Sequence, residues 1–240
     1  MSVESLSIEQ DGPVVSVHID AGEGNLFTPE MTRHLAELLR TPPEGAHVVR
    51  IAAAGPDFCL GRAPFRRGGG PLRDDVDALI EIVEALQRSP LVTVAEVQGD
   101  AAGFGVGLVA LTDVAVAATD AHLSFPEVDA GFAPALVLSW LGSLVGARKA
   151  FWLAATGIRV PAREALALGL LTDVVDDPAQ LPGTVSSIVE LLCSKPAAVH
   201  AQIKELVRLY AAVPAETRGP IAADRLAFGA LRRSLAEEAS

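Results

Sequence analysis

The stretch Val97-Gln98-Gly99-Asp100-Ala101-Ala102-Gly103-Phe104-Gly105-Val106-Gly107-Leu108 decides how this chain is read. A β-rich run over 91–97 breaks into glycines, and the glycines lead into an apolar run over 106–111 that a helix could use. In that order, backbone N–H groups collect at a helix start, where they lack an intrahelical partner and the dipole favours negative charge. Such a place can hold an anion or a developing oxyanion. Downstream, Ser124-Phe125-Pro126-Glu127 sets one carboxylate after a proline in an otherwise apolar stretch, so Glu127 is the candidate acid/base beside those amides. Taken alone, the glycines read first as a device for close helix–strand packing, because glycine-rich turns are common and weakly specific.

Composition narrows the rest. The chain has 240 residues, half of them hydrophobic, which is enough for a substantial core. A formal net charge of -11, with no basic stripe interleaved with aromatics, disfavours nucleic acid and anionic lipid as partners. Cys59 and Cys193 do not make a disulfide framework and fit a reducing compartment. Residues 1–10 carry two glutamates and no apolar run, unlike a secretory signal. No apolar run approaches the roughly 20 residues that span a bilayer. The expectation is a soluble, cytoplasmic α/β protein.

Working outward, 5–10 and 14–19 read as strands joined by Asp11-Gly12-Pro13. Residues 29–39 read as a helix, with Thr28 as N-cap and Pro29 in the first turn. Strands are expected at 47–53, 91–97, 113–117 and 171–175, with an amphipathic helix at 74–87 after a loop over 55–72. This alternation implies βαβ-type units around a largely parallel sheet. After Phe132 the spacing predicts helices over 135–145, 147–156, 161–168, 181–193, 197–211 and 221–236.

Four patches together resemble the crotonase superfamily, the enoyl-CoA hydratase/isomerase fold. Asn25-Leu26-Phe27-Thr28-Pro29-Glu30-Met31 is similar to the family's Asn-Ala-Leu-Ser-Pro-Glu-Met segment. Phe58-Cys59-Leu60-Gly61-Arg62 is similar to Phe-Cys-Ala-Gly-x, the first oxyanion loop. Residues 99–108 with Thr112-Asp113 are similar to Gly-x-Ala-x-Gly-Gly-Gly-x-Glu-Leu and the later Cys-Asp. Phe125-Pro126-Glu127 through Pro134 is similar to Phe-x-x-Pro-Glu-x-x-x-Gly-x-x-Pro. Thr156-Gly157, Ala162-x-Glu164-Ala165 and Gly169-Leu170-Leu171 extend the match, which runs to about Lys204.

The resemblance implies a crotonase-type (ClpP/crotonase) spiral of ββα units over 1–180 and a helical C-terminal region over 181–240 that mediates assembly into a homotrimer or a dimer of trimers. It implies an enzyme acting on an acyl-CoA thioester, with coenzyme A as part of the substrate and no separate cofactor or metal. The backbone amides of Arg62 and Phe104 would form the oxyanion hole, and Glu127 would be the general acid/base. Asn25, Leu26, Leu60, Gly61, Arg66, Arg67 and Gly103 would contact substrate or CoA.

Two departures bear on the chemistry. Gly107 stands where hydratases of the family place a second glutamate, so a one-base proton shuttle is the simpler expectation. Ala135 and Pro134 replace the aspartates that dienoyl isomerisation and dehalogenation need. Ala63 stands where the family usually has aspartate, and Arg62, Arg66, Arg67 and Arg73 concentrate positive charge that could meet CoA phosphates. The alternatives are a specialised crotonase reaction, such as decarboxylation or C–C hydrolysis, and a non-catalytic CoA-binding homologue.

Other motifs carry less. Leu108 occupies the place of the third glycine of a dinucleotide fingerprint, and no Gly-x-Ser-x-Gly elbow occurs. The five histidines lack metal-ligand spacing. His122 reads as a partly exposed strand residue, Cys59 as a small buried one, Trp140 as helix packing, and Asp100 and Asp129 as surface or capping residues.

Overall fold

The computed structural model describes residues 5–64 and 72–238. In chain order the strands among them are β1 (Leu6–Asp11), β2 (Val14–Ile19), β3 (Val48–Ala53), β4 (Val92–Val97), β5 (Ala101–Ala102), β6 (Val114–Ala118), β7 (His122–Ser124), β8 (Val160–Pro161) and β9 (Asp173–Val175). The helices are α1 (Pro29–Arg40), α2 (Leu72–Arg88), α3 (Phe104–Ala110), α4 (Ala135–Val145), α5 (Ala147–Thr156), α6 (Ala162–Ala167), α7 (Leu181–Cys193), α8 (Ala197–Ala212) and α9 (Ala215–Glu238).

Six strands make one sheet in the order β1-β2-β3-β4-β6-β9. β1 and β2 are antiparallel, and every later pairing is parallel, as the alternating pattern predicts. All of β4 is buried, the mark of a parallel strand covered on both faces. Because side chains alternate along a strand, Val49, Ile51, Ala95 and Val97 join Leu35, Leu39, Ile82 and Leu86 of α1 and α2, whereas Val48, Val92, Val94 and Val116 join Leu181, Val185 and Val189 of α7. Each such buried Leu or Val contributes about 1.5–3 kcal/mol. α1 begins as its sequence predicts: Thr28 Oγ1 accepts from the Met31 N–H at 3.2 Å, and Pro29 occupies the first turn. Asp113, part of the matched pattern, has a structural role, because its Oδ2 accepts from both the Thr93 N–H (2.7 Å) and Oγ1 (2.8 Å) and so ties β6 to β4.

The chain divides into two compact units, 1–197 and 198–240. Within the second, an ion pair joins Glu205 of α8 to Arg225 of α9. No helix of the described residues is long and apolar enough to cross a membrane.

Three expectations change. The short strands β5, β7 and β8 form a second sheet that periodicity does not reveal, since two or three residues carry no period. α3 starts at Phe104 rather than at the apolar run from 106, because glycines fill its first turn. α9 starts at Ala215 rather than 221 and continues through Pro220, giving up one backbone hydrogen bond there.

α3 reaches the second sheet through a glycine. A β-carbon on Gly105 would stand 2.0 Å from the Cys59 carbonyl oxygen, whereas one on Gly107 would meet nothing closer than Trp140 Cζ2 at 3.7 Å. Gly105→Ala is therefore expected to destabilise the fold by about 3 kcal/mol, read as a Tm roughly 6–12 °C lower. Gly107→Ala, two residues along the same helix, is expected to melt at or slightly above the wild-type temperature, since alanine favours helix interiors over glycine by about 1 kcal/mol.

Candidate active site

Short backbone pairings stitch four loop segments side by side. Leu60 N–H donates to Gly24 O (2.7 Å), Phe27 N–H to Gly61 O (3.0 Å) and Ala63 N–H to Phe27 O (2.8 Å). On the other side of the same loop, Cys59 N–H donates to Asp100 O (3.2 Å) and Ala102 N–H to Cys59 O (2.9 Å). Gly103 N–H then donates to Ser124 O (2.9 Å). β5, β7 and β8 continue this ladder, so residues 24–27, 59–63, 101–103 and 123–127 form one surface.

The ladder aims two amides. The Gly61 carbonyl points at Phe27, so across the trans peptide the Arg62 N–H points the opposite way, toward the side on which Gly61 approaches Ala102. Phe104 is the first residue of α3, where an amide has no intrahelical acceptor. The two residues are tied through Phe27, which bridges to Arg62 and whose ring lies 5.1 Å from that of Phe104.

Glu127 enters from a single 3-10 turn, Pro126–Val128. The turn is fixed by the Glu127 carbonyl, which accepts from the N–H groups of Ala130 (3.2 Å) and Phe132 (2.9 Å). The carboxylate lies against Gly103, where a β-carbon would stand only 2.8 Å from Oε1. Gly103 also has φ +50°, a backbone that favours glycine, and a β-carbon there would displace the Glu127 carboxylate. Oε2 is buried and accepts no hydrogen bond from the described residues. Burial pushes the Glu127 carboxyl above the ordinary carboxylate range; a backbone hydrogen bond and the positive charge of Arg62 oppose the rise.

Arg62 is half-buried, and its Nη1 donates to Ala63 O (3.2 Å). Burial lowers its pKa, while the charges of Asp75 and Glu127 hold it up. Sequence reasoning used the Arg62 amide for the oxyanion and its charge for CoA phosphates; it missed Asp75 of α2, which shares a small cavity with Arg62 and carries no local signal.

The other expected residues divide. Gly61 and Gly103 lie in the ladder, and Leu60 is partly exposed with its side chain over Gly24. Leu26 is partly buried beside Phe27. The Asn25 side chain is buried: its Oδ1 accepts from Ala21 N–H (2.9 Å), and its Nδ2 donates to the carbonyls of Ala54 (2.8 Å) and Asp57 (2.9 Å). Asn25 thus pins the first loop to the end of β3. Arg66 and Arg67 lie outside the described residues, and Arg73 pairs with Asp77 at 2.8 Å.

Asp100 is engaged with His122, whose N–H donates to it at 2.9 Å, and with Arg159. Asp129 lies near Gly157, whose β-carbon would be 3.3 Å from its Oδ2. Cys59 is buried, and its thiol pKa is pushed up to about 12, so it is no thiolate nucleophile. Among the described residues no group of three His, Cys, Asp or Glu side chains could hold a metal ion.

Beside Gly103 and Phe104 lies a cavity of about 30 Å3, whose other walls include Gly107, Ile82, Leu136, Val137 and Trp140. Every side chain lining it is apolar. Gly107 therefore brings no carboxylate to this cavity. On the opposite flank, Phe132 and Phe151 are largely exposed and help to line an open apolar hollow of about 420 Å3 with Val128, Pro134 and Leu138.

Comparison with known proteins points to one family. Residues 12–232 match the family model for enoyl-CoA hydratase/isomerase. Among solved structures, an enoyl-CoA hydratase of Mycobacterium smegmatis superposes with a TM-score of 0.88 at 27% identity, covering 95% of this chain and 91% of that one. A Thermobifida fusca protein solved in complex with CoA gives a TM-score of 0.84 at 29% identity, covering 97% and 95%. The peroxisomal Δ(3,5)-Δ(2,4)-dienoyl-CoA isomerase of Arabidopsis thaliana is 27% identical over 208 residues, or 80% of this chain and 74% of its own.

The position of Glu127 has a thermodynamic signature. Its folded pKa is raised, so the folded state carries no penalty from it below the ordinary carboxylate pKa and loses stability as pH rises through the raised value. The Glu127→Gln protein is expected to melt above wild type at pH 7–8. The two Tm values are expected to converge below about pH 4, where both states are protonated. Thermal denaturation across that pH range reads the difference.

Proposed function

The chain belongs to the enoyl-CoA hydratase/isomerase family, and on that premise we propose that it moves a proton within an acyl-CoA thioester through an enolate, with Glu127 as the one acid/base. The observation that carries the reading is the Glu127 carboxylate itself, which is buried, unpartnered at Oε2 and set against Gly103 in a site whose neighbouring wall is apolar. In the reaction, the Glu127 carboxylate takes a proton from the carbon next to the thioester carbonyl. The electron pair moves onto the carbonyl oxygen, which the N–H groups of Arg62 and Phe104 receive. Glu127 then returns its proton two carbons along, and the electron pair flows back from the oxygen. A 3-enoyl thioester becomes a 2-enoyl thioester with no atom gained or lost.

Burial suits Glu127 to this task, since a base with a raised pKa both accepts and returns a proton near neutrality. Two backbone donors aimed at a developing oxyanion are worth on the order of 3 kcal/mol each. They depend on the course of the chain rather than on side-chain identity, so Phe104 in place of a glycine is compatible with the role. Water addition is the weaker reading. It is better served by a second carboxylate, and Gly107 provides none.

The acyl-CoA class of ligand is supported by the CoA complex of the Thermobifida fusca protein. Homo-oligomerisation, as a trimer or a pair of trimers, is supported by the exposed Phe132, Phe151 and Trp152, since contiguous exposed apolar surface marks an interaction face. A cytoplasmic location and a role in fatty-acid metabolism complete the proposal; two free cysteines fit a reducing compartment.

Mass spectrometry of 3-enoyl- and 2-enoyl-CoA thioesters incubated with the protein in heavy water tests the mechanism. Deuterium uptake at the two carbons between which the proton moves, without a gain of water, is expected. Glu127→Gln is expected to slow it about 10²–10⁴-fold. Equal rates in the two proteins would remove Glu127 from the chemistry.

A further inference from the structure

We propose that Asp100 is a positioning residue: its carboxylate clasps the three strands of the second sheet and so fixes the turn that carries Glu127 against the two loops that present the Arg62 and Phe104 amides. The inference deepens the proposed function and rests on it for its catalytic consequence.

The second sheet is too short to hold itself. β5 pairs with β7 through Ala101–Leu123 and Ala102–Ser124, and β7 pairs with β8 through His122–Pro161 and Leu123–Val160. Even a longer two-stranded pairing is marginal in water. Yet the reacting groups hang from these strands. Gly103 and Phe104 follow β5 directly, Glu127 stands on the turn just after β7, and Cys59 of the first loop bridges to Ala101.

Asp100 supplies the missing ties. It stands immediately before β5, and its side chain reaches both other strands. Oδ1 accepts from the His122 N–H of β7 (2.9 Å) and lies 3.3 Å from that residue's Nδ1. Oδ2 accepts from Arg159, which leads directly into β8. The Asp100 carbonyl in turn accepts from the N–H groups of Phe58 (3.0 Å) and Cys59 (3.2 Å). This approach is backbone against backbone, since a β-carbon on Gly99 would overlap the Pro56 carbonyl oxygen. One residue thus holds the first loop by its carbonyl and the strand leading to Glu127 by its carboxylate.

The two arms of the carboxylate differ in strength. The side chains of Asp100 and His122 are 26% and 34% exposed, so the bond to the His122 amide is sheltered, and its acceptor is ionised. The Arg159 side chain is 62% exposed, and an ion pair so open to water contributes less. The amide arm therefore sets the placement of β7, and the Arg159 arm steadies it. The effect reaches the site through backbone. It runs from His122 along β7 to Ser124, whose carbonyl accepts from the Gly103 N–H (2.9 Å), and on to the Glu127 turn.

The test separates position from stability. Each variant is assayed per folded molecule, well below its melting temperature, for proton exchange of 3-hexenoyl-CoA in heavy water. Its amide hydrogen exchange is followed by NMR. Asp100→Ala is expected to lower kcat about 10–100-fold while KM changes less than about threefold. The same variant is expected to speed exchange of the His122 and Gly103 amides about tenfold. Asp100→Asn keeps an oxygen for the His122 amide and loses the charge that meets Arg159. It is expected to return kcat to within about threefold of wild type. Arg159→Met opens the weaker arm alone and is expected to behave as Asp100→Asn does. Both milder variants are expected to speed Gly103 amide exchange about two- to fivefold, which keeps the test decisive where Asp100→Ala folds poorly.

An unchanged kcat with unchanged amide exchange in Asp100→Ala overturns the inference, as does activity that falls only with the folded fraction. Gly103 amide exchange unmoved in both Asp100→Asn and Arg159→Met overturns it as well. Asp100→Asn as slow as Asp100→Ala removes the His122 amide from the account. If the amides loosen in Asp100→Ala as expected but Glu127→Gln moves the substrate proton as fast as wild type, the proposed function fails while the clasp stands.

Discussion

The site depends on a contact between two stretches of backbone. The first turn of α3 lies against the carbonyl of Cys59 with no side chain between them, and only glycine at position 105 permits it. That approach lets residues 59–63 pair on one edge with 24–27 and on the other with 100–102, so a run of two- and three-residue pairings behaves as a second sheet. The direction of the Arg62 and Phe104 amides follows from it. A side chain at 105 would push α3 outward and turn the Phe104 amide away. The same segment supplies Gly103, whose left-handed backbone and missing β-carbon make room for Glu127. The scaffold beneath is ordinary by comparison: a parallel sheet covered on both faces, with α7 on one and α1 and α2 on the other.

The chemistry rests on a balance of burial and charge. Burial raises the Glu127 pKa, and the positive charge of Arg62 opposes the rise. Gly107 shifts the balance in another way. Without a side chain there, the wall beside Phe104 is closed by Trp140, Val137 and Ile82, and it carries no second carboxylate.

Much of this was legible in the sequence, and what was not has physical reasons. The main sheet shows in its periodic apolar runs, α1 in Thr28 and Pro29, and Glu127 in its position after a proline among apolar residues. The Phe-Cys-Leu-Gly-Arg and glycine segments show the two loops that pair side by side. The second sheet was invisible because its strands are too short to carry a pattern, although they hold the site together. That Asp75 shares a small cavity with Arg62 was invisible because it depends on α2 packing against α1, a tertiary fact. The partners of Asn25 were invisible because a matched motif does not say where a polar side chain points; here its three side-chain hydrogen bonds all go to backbone. Asp113 likewise sits in a matched pattern and serves the sheet alone.

The central claim is that the amides of Arg62 and Phe104 receive one thioester oxygen while Glu127 faces the carbon beside it. A crystal structure of the Glu127→Gln protein with a bound acyl-CoA thioester tests it most directly. The account predicts the thioester oxygen within hydrogen-bond distance, about 2.7–3.1 Å, of both amide nitrogens, with the side chain at 127 against the adjacent carbon. A thioester whose oxygen meets neither amide, or whose reactive carbon lies away from residue 127, would contradict it.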